Sequence, residues 1–181
     1  MSLFQTLTRM WMVRGHQRRV RAPGVHPPKR EEFAATDWRS GEIVRIRAEK
    51  RNAEAFCRLV EKCMERSGRR RRQVILVIDR ARIHTKEGSA RVAALLKRYG
   101  RRLRFRYIPS YEPACMPMEL FWNDWRDHVT HNHERAVILD LESDSDRYFA
   151  WCAQHPQAVL RTIGSPFAKP CAKPQKLVGF I

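Results

Sequence analysis

The sequence predicts an α/β fold, a mixed sheet flanked by helices, on three observations. The β-branched run Val74-Ile75-Leu76-Val77-Ile78 is bounded by charge and too short to be a helix of its own. The segment before it carries apolar residues at helical spacing, and a later one, Leu103-Arg104-Phe105-Arg106-Tyr107, alternates apolar and basic residues as a strand does. At 181 residues the chain is long enough for one domain with its own core.

In chain order, residues 16–21, 30–37 and 41–48 read as short extended segments, separated by Pro23-Gly24-Val25-His26-Pro27-Pro28 and by the turn Asp37-Trp38-Arg39-Ser40-Gly41. The last two are expected to form a hairpin. A helix follows from Asn52 to Ser67, because Phe56, Leu59, Val60, Cys63 and Met64 recur at i, i+3, i+4, i+7 and i+8, with Gly68 as its stop. Its apolar stripe is expected to pack on a sheet. Val74–Ile78 reads as a strand buried on both faces, which sets Asp79 at its C-terminal end. Thr85 is suited to cap a second helix in which Val92, Leu95, Leu96 and Tyr99 share one face and which Gly100 ends. Leu103–Tyr107 is the next strand, leading into a proline-rich turn. Pro117 suits a first helical position, with Met118, Trp122, Trp125 and Val129 continuing at helical spacing and Glu119 in the first turn, one residue off that stripe. A further helix is expected near Asp144 to His155. Three Pro and three Lys between Ser165 and Lys176 make 165–181 an irregular basic tail, leaving 1–164 as the domain.

Charge points to a polyanionic partner. Lys and Arg number 36 against 19 Asp and Glu, a net charge of +17, which favours phosphate neutralisation and counterion release on DNA. Residues 1–30 carry seven Lys or Arg and no acid, and Arg66 with Arg69, Arg70, Arg71 and Arg72 makes a second cluster. That run reads either as a DNA phosphate contact or as a solvated loop. Five cysteines without a Cys-x-x-Cys pair argue against a disulfide framework or a zinc site and for a reducing cytoplasm. No apolar run is long enough for a membrane span, and the N-terminus lacks the order of a secretory signal. The five Trp read mainly as core, with Trp11 or Trp38 available to stack on a base.

The chemistry lies in two acids. Asp79 after a buried strand and Glu119 at a helix start are the hard oxygen ligands that magnesium or manganese prefers, and two-metal strand cleavage needs carboxylates of this kind. The same residues also serve elsewhere as a turn or cap residue and as a helix-dipole partner. His128, His131 and His133 match no common closed metal site and read as polar residues at the end of the Glu119 helix. His84, five residues beyond Asp79, reads as site-adjacent or as a helix-entry residue.

Taken together, Asp79, His84, Ile108-Pro109-Ser110-Tyr111, Pro113 and Pro117-Met118-Glu119-Leu120-Phe121-Trp122 resemble the endonuclease domain of insertion-sequence transposases in the Tc/mariner superfamily, insertion sequence 630 type. The family pattern reads roughly Leu-Pro-x-Tyr-Ser-Pro-x-Leu-Asn-Pro-Ile-Glu-x-x-Trp. The resemblance extends back through Thr8-Arg9-Met10-Trp11, Gly15 and Asp37–Gly41 and forward through Val129-Thr130-His131-Asn132. It implies a ribonuclease H-like fold, an Asp-Asp-Glu triad, magnesium or manganese, and DNA cutting and joining in transposition, recombination and integration. Asp79 would be the second triad acid and Glu119 the third.

Three departures accompany it. Arg80 and Met116 stand where the family has Asn, removing hydrogen bonds that would orient the acids. The family's first Asp belongs on an opening strand just upstream of the segment matching Leu3-Phe4-Gln5-Thr6-Leu7, and no acid precedes Glu31. The helix-turn-helix region such transposases carry ahead of the catalytic domain has no counterpart here. The expectation is an N-terminally truncated domain lacking its first strand, poorly stable and inactive alone. The alternatives are a basic nucleic-acid-binding remnant without catalysis, or a partner-dependent fragment completed by an upstream-encoded transposase half; DNA and a homodimer partner are the other expected associations. The expected location is the bacterial cytoplasm, at the nucleoid.

Overall fold

A computed structural model describes residues 1–2, 8, 12–16, 28–69, 73–109 and 116–170. Residues 17–21 of the expected extended segment at 16–21, Arg70, Arg71, Arg72, Trp11, Tyr111 and Pro113 lie outside these, as do most of the tail and most of the residues matched near the N-terminus. The chain divides into two compact units: Arg30–Asp37 with Glu42–Leu120, and Met1–Lys29 with Trp38–Gly41 and Phe121–Ile181.

The first unit holds the strands. β1 (Glu31–Thr36) and β2 (Ile43–Ala48) form the expected antiparallel hairpin, with Phe33 opposite Ile46. Helix α1 (Ala53–Arg69) starts where the Asn52 side chain accepts the Ala55 N–H at 2.9 Å. Its stripe is double. Phe56, Val60 and Met64 pack with Val92, Leu95 and Leu103, while Ala55 and Leu59 pack with Ile46 of the hairpin, joined by Cys63. Gly68 does not stop the helix. It lies inside the last turn, where a glycine costs only about 1 kcal/mol relative to alanine.

β3 (Val74–Ile78) pairs in parallel with β4 (Leu103–Tyr107), so that Ile75 faces Arg104 and Val77 faces Arg106 in register. The expectation that β3 is buried on both faces fails: Ile75 and Val77 are each 54% exposed. Val74, Leu76 and Ile78 pack on the α1 and α2 core, and among the described residues nothing buries the alternate face. β-branching here reports strand propensity rather than two-sided burial. Helix α2 (Ala90–Tyr99) ends at Gly100 as expected, with φ +52°, but its cap is Ser89, whose Oγ accepts the Val92 N–H. Thr85 instead ends a short 3₁₀ turn, Arg82–His84, and its Oγ1 accepts the Gly88 N–H. A Cβ on Gly88 would lie 2.1 Å from the Arg82 carbonyl oxygen, so the loop closes this tightly only on glycine.

Helix α3 (Pro117–Trp125) begins at the proline, and its first turn belongs to the strand unit. From Phe121 onward the chain belongs to the helical unit: a π-helical turn at Arg126–Thr130, then α4 (Ile138–Gln154) and α5 (Pro156–Thr162). α4 starts six residues before the expected Asp144, because Ile138, Leu141, Ser145, Tyr148, Phe149 and Cys152 are buried at helical spacing beneath an acidic outer face. Phe121 meets the rings of Tyr148 and Phe149, and Trp125 donates to Ser145 Oγ at 3.2 Å. Of the four described Trp only Trp125 is buried, and Trp38 is exposed.

Candidate functional site

Asp79 is delivered by β3, which stops one residue earlier. The Ile108 N–H still bonds the Ile78 carbonyl at 3.0 Å, holding the two strand exits side by side. Asp79 Oδ1 accepts the Ala81 N–H at 3.1 Å, an Asx turn that bends the chain into the 3₁₀ turn. That turn swings His84 back, and its Nδ1 meets the same Oδ1 at 2.5 Å. The His84 ring lies on Phe56 with centroids 4.4 Å apart, and the Tyr107 hydroxyl donates to the His84 carbonyl at 3.2 Å. The Asp79 side chain is 52% exposed and that of His84 18%. Oδ2 of Asp79 has no hydrogen-bond partner among the described residues.

Arg80, the cation next to Asp79, sits over the Tyr107 ring, its Cζ 5.5 Å from the centroid. Sequence reasoning overlooked Phe56 and Tyr107. The only signal for Tyr107 was its place at the end of β4, level with the residue before Asp79.

Glu119 stands exposed in the first turn of α3, where its N–H bonds the Met116 carbonyl at 2.9 Å. The neighbouring Met118 accepts a 3.1 Å hydrogen bond from Thr36 Oγ1, tying the start of α3 to the end of β1. The structure thus brings Asp79 and His84 into contact and carries Glu119 on a separate anchor of the same unit. Among the described residues, no group of three or more His, Cys, Asp or Glu is arranged to hold a metal ion. The donors present, two exposed carboxylates, fit a hard divalent cation rather than zinc.

The histidines of the helical unit are occupied otherwise. His128 Nδ1 bonds the Asp124 carbonyl and His131 Nδ1 bonds Asp127 at 2.7 Å, each one helical turn back. His133 is buried, and that burial lowers its pKa. Of the proposed arginine contacts, Arg69 lies at the end of α1. Thr8 and Asn132, from the two ends of the motif pattern, exchange hydrogen bonds of 3.1 and 3.2 Å.

The family described as DDE superfamily endonuclease matches residues 2–140. The chain belongs to this family. A relative of the DDE chain, the insertion element IS630 uncharacterized 39 kDa protein of Shigella sonnei, is 27% identical over 131 residues, which is 72% of this chain and 36% of that protein. Among solved structures, the Mos1 transposase paired-end complex with left transposon end matches with a TM-score of 0.58 and 13% identity, over 92% of this chain and 54% of the other. The Mos1 strand transfer complex matches at 0.56 and 15%, over 93% and 52%. At these identities the likeness shows the fold, which is ribonuclease H-like. This DDE domain spans about a third to a half of the length of these relatives.

Proposed function

We propose that this DDE domain takes part in divalent-metal DNA strand cleavage and transfer, with Asp79 and Glu119 as its cation ligands. The observation that carries the reading is Asp79 itself: in a chain of this family it stands half exposed at the end of a parallel strand, one carboxylate oxygen fixed and the other unpartnered among the described residues. Magnesium or manganese would supply activation of the attacking oxygen and charge stabilisation at the leaving oxygen. Asp79 and Glu119 would hold it, and basic residues, with Arg69, Arg70, Arg71 and Arg72 as candidates, would hold the DNA phosphates.

Asp79 and Glu119 are a pair rather than a triad: among the described residues, no group of three or more His, Cys, Asp or Glu is arranged to hold a metal ion. The chain by itself is therefore expected to cleave DNA weakly or not at all. An upstream-encoded transposase half that brings a third acid would restore cleavage, with DNA and a second copy of the chain as the other partners, in the bacterial cytoplasm at the nucleoid. The net charge of +17 favours a second reading, DNA binding without catalysis. Plasmid nicking with magnesium or manganese, and DNA binding against a salt series, separate the two for wild type, Asp79→Asn and Glu119→Gln. Robust nicking that both substitutions abolish would overturn the expected inactivity. Salt-sensitive binding unchanged by both, with no metal bound, would leave only the second reading.

A further inference from the structure

We propose that His84 is a positioning residue for Asp79, fixing one carboxylate oxygen so that the other alone meets a cation. The inference rests on the reading of Asp79 as a metal ligand and adds to it the geometry in which it binds.

An ionised carboxylate only accepts hydrogen bonds, and each oxygen has about two lone-pair sites. Both sites on Oδ1 are taken, one by the Ala81 N–H at 3.1 Å and one by His84 Nδ1 at 2.5 Å. Chelation through both oxygens would require breaking one of these bonds. The remaining mode is monodentate, through Oδ2, which has no partner among the described residues. Because a carboxylate oxygen only accepts, Nδ1 of His84 is the donor in this pair.

His84 is itself held on three sides. Phe56, buried in the core of the strand unit, lies against its ring at 4.4 Å; Tyr107 bonds its carbonyl; and Gly88 packs against the Arg82 carbonyl of the same turn. A histidine present only as a helix-entry residue would need neither the core contact nor the carboxylate. Orientation of a metal-binding carboxylate by a hydrogen-bond donor behind it is a general way to tune affinity.

The test is Mn²⁺ binding by the full chain, followed by electron paramagnetic resonance of free Mn²⁺, for wild type, Asp79→Asn, His84→Phe and His84→Asn. Phe keeps the ring stack on Phe56 and removes the donor, whereas Asn keeps a donor near the Nδ1 position. His84→Phe is expected to weaken Mn²⁺ binding about 10–100-fold, the usual cost of losing such a partner, while His84→Asn stays within about threefold of wild type. Asp79→Asn separates the two claims. If wild type and Asp79→Asn bind alike, Asp79 is not a ligand and both claims fall. If Asp79→Asn loses binding but His84→Phe matches wild type, or His84→Asn is as weak as His84→Phe, the positioning claim alone falls. Thermal unfolding of each variant identifies any loss that comes from misfolding.

Discussion

Raising the pH from 7 to 10 tests the packing of the hairpin on α1 through one thiol. Cys63 lies with Ala55 and Leu59 on the α1 stripe that meets Ile46 of the hairpin, and burial pushes its pKa from 9.0 to about 11 against a smaller opposing pull from Arg66. In the unfolded chain the thiol loses its proton as pH rises past 9, while the folded chain holds it to about 11. The unfolded state therefore binds fewer protons in that window. The contribution is complete below pH 9 and is lost as pH climbs toward 11. At pH 10 the thiol's share of the loss is on the order of 1 kcal/mol, one pH unit's worth of proton binding. Cys57, Cys152, Tyr107 and Tyr148 also have raised pKa values and add slopes of the same sign. A double difference isolates Cys63: urea unfolding of wild type and Cys63→Ala, each at pH 7 and pH 10. Wild type is expected to lose on the order of 1 kcal/mol more than the variant. Equal losses would refute the reasoning, because a thiol not buried against the hairpin has no reason to hold its proton.

Other consequences follow for the helical unit. Burial lowers the pKa of His133, so the unfolded chain takes up a proton near pH 6.5 that the folded one refuses; stability should fall as pH drops below about 6.5, and thermal melts at pH 5.5 and 7.5 should show His133→Gln to be the flatter of the two. Gly41 has φ +75°, and a Cβ there would lie 2.2 Å from the Pro156 carbonyl oxygen, so Gly41→Ala forces backbone apart and should lower the melting temperature far more than Gly164→Ala, whose φ is also positive but whose Cβ meets nothing within 4 Å. Tyr148→Phe removes the hydroxyl that donates to Asp124 Oδ2 at 2.5 Å; denaturant unfolding should register a loss of about 1.5–3 kcal/mol, the range for hydrogen bonds to charged groups.

What the sequence made legible was what lies within a few residues of itself. The hairpin, α1, both parallel strands and the start of α3 follow from spacing and punctuation, and so does the position of Asp79, since a strand that ends on a charge is a local pattern. The failures share one cause. Two-sided burial of β3 was inferred from composition, but burial depends on what stacks on the sheet, and Ile75 and Val77 find no cover among the described residues. Thr85 and Ser89 are both good caps, and the choice went to Ser89 because the Asp79-to-His84 turn uses the intervening residues first. The start of α4 was hidden because Asp140, Glu142, Asp144 and Asp146 outnumber the apolar residues they alternate with.

The candidate site shows the same division. Asp79 and His84 are five residues apart and were paired from sequence, yet what makes the pair specific comes from far along the chain: Phe56 is 28 positions before His84 and Tyr107 is 23 after it. Arg80 makes the point from the other side. In sequence it is a cation beside a proposed cation ligand, a placement that opposes metal binding by simple repulsion. In the fold, the parallel register sets Tyr107 level with Ile78, so the side chain two positions on finds an aromatic face within cation–π reach at 5.5 Å. Tyr107 thus serves two neighbours of Asp79, taking the Arg80 guanidinium on its ring and fixing the His84 backbone with its hydroxyl. The cation at position 80 is thus accommodated by a residue on another strand, which no reading of the motif alone could supply.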